Sequence, residues 1–309
     1  MAIRPGVRDF LWMAAGAAVL LVVVLVVMHF NRGQDPAEQL AWQGKKLEIA
    51  DRMSVALVSA AEAEKSAVLA ITDEDSRTFA DQARAASATV EQGRKELEEV
   101  LRSRGTQNER DLLAKFAQVF ADFQRVDDQI LALAVKNTNL KAYALAYGPA
   151  ADTLKEMEAA LSHLVAASAT SPALAGVTAT ALGAEVAALH VQSLLPPHIA
   201  EETEAKMAAL EAQMAREEHE VRKDLDGLAA LGKSPDLDLA ASRWAHYLEL
   251  KTQILALSHE NTNVLSLALS LSRKRQVTAA CQSALGELRD AIKAEPIAGV
   301  SYGRPAMPR

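Results

Sequence analysis

The stretch AQVFADFQRVDDQILALAVKNTNLKAYALAYGPA, Ala117–Ala150, returns later in the chain as ASRWAHYLELKTQILALSHENTNVLSLALSLSRK, Ala241–Lys274. The two align without a gap at an offset of 124 residues. Phe120 meets Trp244, Phe123 meets Tyr247, and Gln129–Leu133 meets Gln253–Leu257. Asn137-Thr138-Asn139 meets Asn261-Thr262-Asn263. Ala/Leu-rich helices resemble one another by chance, but paired aromatics and a shared Asn-Thr-Asn mark an internal duplication.

Each copy reads as a bundle helix. Phe116, Phe120, Phe123, Ile130, Leu133, Asn137, Leu140, Ala144 and Tyr147 recur mostly at steps of three and four, the spacing of an apolar seam. Trp244, Tyr247, Ile254, Ser258, Asn261, Leu265 and Ala268 form the seam of the second copy. An asparagine on such a seam needs partners for its amide. Asn137 and Asn261 are therefore expected either to fix register or to contact a ligand.

Composition points the same way. Half of the 309 residues are hydrophobic but only 4% are aromatic, and residues that favour long helices dominate. No strand-type alternation is seen beyond the N-terminal segment. The net charge of −7 gives no indication of nucleic-acid binding. With Cys281 as the one cysteine, an intrachain disulfide and Cys-x-x-Cys metal, redox or haem motifs are excluded. Cys281 lies on a seam and is expected to pack as a small hydrophobe.

Phe10–Met28 reads FLWMAAGAAVLLVVVLVVM, uncharged and about 20 residues long, enough to cross a bilayer as a helix. Arg4 and Arg8 before it place the N-terminus in the cytoplasm. A cleaved signal peptide is the competing reading, but no small-x-small site closes the apolar run and the run is long for a signal core. Residues 1–34 are thus read as a cytoplasmic stub, an anchor in the inner membrane through residues 10–28, and a short linker. The rest then lies in the periplasm.

The remaining chain reads as all-α, two tandem up-down four-helix bundles over residues 35–169 and 170–295, with a disordered tail at 296–309. Start signals are Asp35-Pro36-Ala37-Glu38, Thr72–Asp75, the capping box Thr106-Gln107-Asn108-Glu109, Ser171-Pro172 and Ser234-Pro235. Stop signals are Gly105, Gly148-Pro149, Pro196-Pro197 and Gly232. Four helices joined by short loops close one bundle.

A membrane helix followed by this bundle resembles the four-helix-bundle ligand-binding domain of methyl-accepting chemotaxis receptors. Leu112-Leu113-Ala114-Lys115-Phe116, Phe120, Phe123, and the Asn-Thr-Asn and Ala-Leu run down to Tyr147 carry the resemblance, together with their counterparts in the second half. The doubled arrangement is also similar to helical bimodular sensor domains. The resemblance implies a sensory, ligand-binding module. Neither a second membrane helix, nor a HAMP-type linker, nor a long cytoplasmic coiled coil is read in the sequence. The expectation is therefore an anchored sensor that signals through a separate partner protein, with a homodimer as a compatible assembly. The alternative is a scaffolding bundle of a membrane or periplasmic complex with no small-molecule ligand.

No nucleophile–base–oxyanion constellation is read, so no enzyme and no cofactor are expected. Counting residues down from the expected distal turns gives a polar layer of Asn137, Glu64, Arg84 and His163 in one bundle and Asn261 and His190 in the other. Lys65 or Arg84 is available there for a ligand carboxylate. His219 and His246, either side of the Gly232 turn, form a weak metal candidate for which Glu218 is available as a carboxylate; against it, both read as surface histidines.

Overall fold

The computed structural model describes Val22 and residues 36–297. The expected anchor, apart from Val22, and residues 298–309 of the expected tail lie outside the described residues. The described residues form helices and no strand, so the all-α expectation holds. In chain order the helices are α1 Pro36–Leu69, α2 Asp73–Arg104, α3 Gln107–Ala134, α4 Thr138–Leu145, α5 Ala151–Ala167, α6 Leu174–Ala200, α7 Glu204–Leu231, α8 Pro235–Glu260, α9 Thr262–Leu269 and α10 Arg275–Lys293.

Several starts follow from local chemistry. Thr72 Oγ1 accepts from Asp75 N at 3.0 Å and opens α2. Thr106 and Glu109 form the reciprocal capping box: Glu109 N donates to Thr106 Oγ1 at 3.2 Å, and Thr106 N to Glu109 Oε2 at 2.7 Å. Ser234 Oγ accepts from Asp236 N at 3.2 Å, with Pro235 in the first turn of α8.

Two expected stops do not stop the chain. Ala146–Ala150 is a single wide, π-type turn that joins α4 to α5, with right-handed helical backbone on both sides. Pro149 has no N–H to donate, and a widened turn tolerates that loss. Ser270–Lys274, at the same place in the second copy, makes the same wide turn without a proline. Pro196 and Pro197 also lie inside a helix, α6. Only the asparagines interrupt the rods. Asn137 and Asn261 have φ of 52° and 50°, the left-handed region that asparagine tolerates better than most side chains.

The consequence is topological. Each half of the sequence holds two helices and one long, interrupted rod, α3–α4–α5 or α8–α9–α10. Three rods are one short of a four-helix bundle. The chain divides into two compact units whose limits cut across both expected domains. One unit takes the described residues up to Leu57, Ala88–Val119, and the described residues from Ala280. It combines parts of α1, α2 and α3 with α10 from the far half. Here Gly93 admits Met53, whose Cγ would lie 2.5 Å from an added Cβ. Gln43 Nε2 donates to Ile292 O at 2.7 Å, and the buried Lys46 binds Glu109 and Glu295 at 3.0 and 2.6 Å.

The other unit takes Val58–Ser87 and Phe120–Ala279. Within it α5, from the first half, packs against α6 and α8, and α7 packs against the same two helices. Their core includes Leu154, Met157, Leu161, Val191, Leu195, Met214, Val221, Trp244, Tyr247 and Ile254. A second cluster joins Ala67, Ala80 and Ala83 of the α1–α2 hairpin to Leu131 of α3. So each bundle borrows its fourth helix from the other half, and residues 169–170 fall between helices of one unit. Helix α6 is the one described helix long and apolar enough to cross a membrane; one face of it carries Val191 and Leu195 in this core.

Candidate functional site

The second unit holds three polar features in otherwise apolar surroundings. The first joins the two copies of Asn-Thr-Asn. Thr138 N donates to Thr262 Oγ1 at 3.2 Å, and Thr262 N to Thr138 Oγ1 at 3.1 Å. Asn139 N donates to Asn263 Oδ1 at 3.2 Å, and Asn263 N to Asn139 Oδ1 at 3.1 Å. Asn139 Nδ2 reaches Asn261 Oδ1 at 2.8 Å, and Asn263 Nδ2 reaches Asn137 Oδ1 at 2.9 Å. The reciprocity is that of a local two-fold axis between duplicated segments. The left-handed asparagine opens the helix there, and the freed amide groups of one copy are satisfied by side chains of the other.

The clasp also holds both hairpins. Asn137 Nδ2 donates to Asp73 Oδ1 at 3.1 Å and Thr72 O at 3.4 Å, beside the start of α2. Asn261 Nδ2 donates to Glu201 O at 2.8 Å, and Asn139 Nδ2 to Ile199 O at 2.6 Å, at the end of α6. Lys141 and then Asn137 hold the Asp73 carboxyl below its ordinary value. Every side-chain polar atom of Asn137 and Asn261 is thus engaged by protein.

The second feature is a buried charge cluster. Glu64 is fully buried; neither carboxyl oxygen makes a hydrogen bond of full geometry, although the Ser270 hydroxyl faces it closely enough to lower its pKa. Asp127 and Lys274, both buried, form an ion pair, and the Lys274 ammonium lies 3.3 Å from the centre of the Phe123 ring. Burial raises the Glu64 carboxyl above its ordinary value; Ser270 and Lys274 pull it down and Asp127 adds to the rise. Burial likewise raises Asp127 against the pull of Lys274. Two carboxyls thus lie near one buried ammonium, with Lys65 acting on Glu64 and Asp128 and Arg84 acting on Asp127 from farther out.

The third feature lies where α6, α7 and α8 meet. His198, fully buried near the end of α6, places Nε2 2.9 Å from Glu211 Oε1 on α7. His259, near the end of α8, places Nε2 2.7 Å from the same oxygen. The rings meet edge to face, 5.3 Å between centres. His198 Nδ1 is 2.8 Å from Ser258 Oγ, and His259 Nδ1 is 3.2 Å from Glu204 Oε2. Burial works to raise the Glu211 carboxyl, but hydrogen bonds from His198 and His259 outweigh it and hold the group below its ordinary value.

The other expected site residues scatter. Lys65 is exposed. Arg84 is exposed and pairs with Asp81 at 3.0 Å. His163 is exposed, 4.0 Å from Asp236, and His190 is exposed, 3.3 Å from Glu217. The expected polar layer counts from a chain reversal at Gly148-Pro149, and the helix continues through that point by its wide turn. His219 is exposed, and His246 is exposed and faces Glu249 of its own helix at 3.2 Å. The three-ligand cluster that forms among the described residues uses neither. Sequence reading missed its members because His198 sat beyond a Pro-Pro taken as a helix end. A sharper signal was available in the duplication itself: Ser258-His259 in the second copy stands where the first has Ala134-Val135.

Residues 53–172 match the family profile described as a four helix bundle sensory module for signal transduction. The matched stretch runs from within α1 to just past α5 and contains the first Asn-Thr-Asn; the second copy lies outside it. The resemblance to the sensory bundle of chemotaxis receptors is thereby shown for that stretch. No curated protein matches the chain.

Proposed function

We propose that a chain carrying this sensory module is a membrane-anchored, extracytoplasmic sensor of chemoreceptor type that passes its state to a separate partner protein. The match over residues 53–172 carries the reading. The clasp supports it physically. One buried hydrogen-bonded knot touches both long rods and both hairpin tips, so a ligand that shifts any one of them acts on all four. The apolar segment Phe10–Met28 is long enough to anchor the chain in a membrane.

The test is a thermal-unfolding screen of the full chain in detergent, with organic acids and amino acids, in chelator. A specific ligand raises the melting temperature in proportion to the logarithm of its concentration. A flat response to every compound, together with a stable stoichiometric protein partner, favours the scaffolding alternative and overturns the sensory one.

A further inference from the structure

We propose that His198 Nε2, His259 Nε2 and Glu211 Oε1 form a binding site for a divalent transition-metal ion of the Zn2+ class. The three atoms lie within 4.8 Å of one another. They come from three different helices, so no local helical spacing produces them.

The partners of the two outer ring nitrogens suit a cation between the inner ones. Ser258 Oγ lies 3.1 Å from His198 O and donates to it. Having one proton, that hydroxyl then accepts from His198 Nδ1–H. In the tautomer with that proton on Nδ1, His198 Nε2 is free to bind a cation at the point where it otherwise hydrogen-bonds Glu211. Glu204 Oε2 can take the Nδ1 proton of His259 in the same way, which frees Nε2 beside the same Glu211 oxygen. Two imidazole nitrogens and one carboxylate oxygen thus converge on one point, where a cation can take a lone pair from each. Imidazole Nδ1–H held by a hydroxyl and by a carboxylate is the outer arrangement that orients metal-binding histidines.

The dimensions need only a small adjustment. Metal–ligand distances of about 2.0–2.2 Å set neighbouring ligand atoms about 3.3 Å apart. The N–O separations of 2.9 and 2.7 Å open slightly to reach this. Glu211 and His259 are each about one third exposed, which lets the ion enter and leaves a fourth position for water. Two nitrogens and one carboxylate select transition metals over Mg2+ and Ca2+, which prefer all-oxygen shells.

The proposal rests on ligand geometry and not on the sensory reading, so either can fail alone. The experiment is calorimetric titration of the full, chelator-stripped chain in detergent with Zn2+ and Co2+, with Mg2+ as control. One Zn2+ per chain is expected, with Kd at or below about 1 μM, visible Co2+ absorption of a low-coordinate site, and no Mg2+ binding. His259→Ala and the near-isosteric Glu211→Gln should each weaken Zn2+ by at least about tenfold, while the exposed His163→Ala does not. Circular dichroism of each variant establishes that the helices are intact. Absence of saturable Zn2+ binding, or a loss below about tenfold in Glu211→Gln, overturns the site.

Discussion

The two copies of the long rod keep one thing and differ in another. Both keep the left-handed asparagine, the threonine and the second asparagine that meet across the local two-fold. Just before the break they differ. In the first copy Val135 packs against the apolar cluster of the α1–α2 hairpin, and Ser76 Oγ donates to Ala67 O and Ala134 O at 3.0 and 3.1 Å. In the second copy the equivalent positions are Ser258 and His259, and the α6–α7 hairpin meets them with His198 and Glu211. Backbone groups exposed by a helix break must be paired in either copy. The side chains packed next to the break have no such constraint. Duplication therefore retains the clasp, and one hairpin is free to acquire chemistry.

Removing the clasp from one copy should produce the largest effect. Asn261→Ala deletes the bond to Glu201 O, leaves Asn139 Nδ2 with one acceptor fewer, and puts a Cβ without a polar group at positive φ. Unpaired buried amides cost about 1–3 kcal/mol, and a left-handed alanine about 1 kcal/mol more. The expected loss is about 2–4 kcal/mol by urea unfolding. Asn261→Gly relieves the backbone term and should recover about 1 kcal/mol of it. Equal stability of the alanine and glycine variants would show that the left-handed turn is not what asparagine supplies. An asparagine on an unbroken seam would instead tolerate Leu without loss.

The sequence carried the class, the capping residues and the duplication, because these depend on contacts a few residues apart. Thr106 with Glu109, Thr72 with Asp75 and Ser234 with Asp236 are of this kind. It did not carry the partition into units. Gly148-Pro149 is a stop in most contexts, and only the wide turn at Ala146–Ala150, matched at Ser270–Lys274, keeps the rod going. A stop expected at Gly148-Pro149 in the first half, and a helix end expected near Ser272 in the second, turn three rods per half into four helices and hide the exchange of the fourth helix. The same error set Asn137 level with His163, when it lies against Asp73. Glu64 belongs to the counted polar layer, and it is buried; the charges that act on it, Lys274 and Asp127, are 210 and 63 residues away in sequence, beyond any local pattern.

The charge cluster gives the next contrast, since Lys274 stands where the first copy has Ala150. Glu64 has a folded-state value above its unfolded one, chiefly through burial. A carboxyl shifted in that direction stabilises the fold while protonated, and the contribution is lost as pH rises from the unfolded value through the raised one. Glu64→Leu removes the carboxyl and keeps an apolar side chain of similar size. At pH 8 the variant should be more stable by about 1–3 kcal/mol, the cost of an unpaired buried polar group. At pH 5 the gain should shrink. A variant that is less stable than the parent at pH 8 would mean that Glu64 is a needed counter-charge for Lys274.

The smallest effect belongs to the residue that most clearly separates the copies. His259→Val installs the side chain of the first copy in the second. Without metal, His259 contributes two partly exposed pairs, to Glu211 and Glu204, and such pairs are worth little, so the change should stay within about 0.5 kcal/mol in chelator at pH 7. Its pH dependence has a definite sign. Glu211, held below its ordinary value, stabilises the fold above its unfolded value, and that contribution is lost as pH falls through the lowered one. Losing a hydrogen bond from His259 moves Glu211 back toward its unfolded value, so the small cost seen at pH 7 should fade on acidification. Addition of Zn2+ then reverses the order of magnitude. The parent gains stability with the logarithm of free metal, about 1.4 kcal/mol for each tenfold excess over Kd, while His259→Val gains at least about 1.4 kcal/mol less at the same free metal. A valine variant that loses several kcal/mol in chelator would show that the histidine–glutamate group is a structural network in its own right, and that the second hairpin, like the first, is held by packing and hydrogen bonds alone.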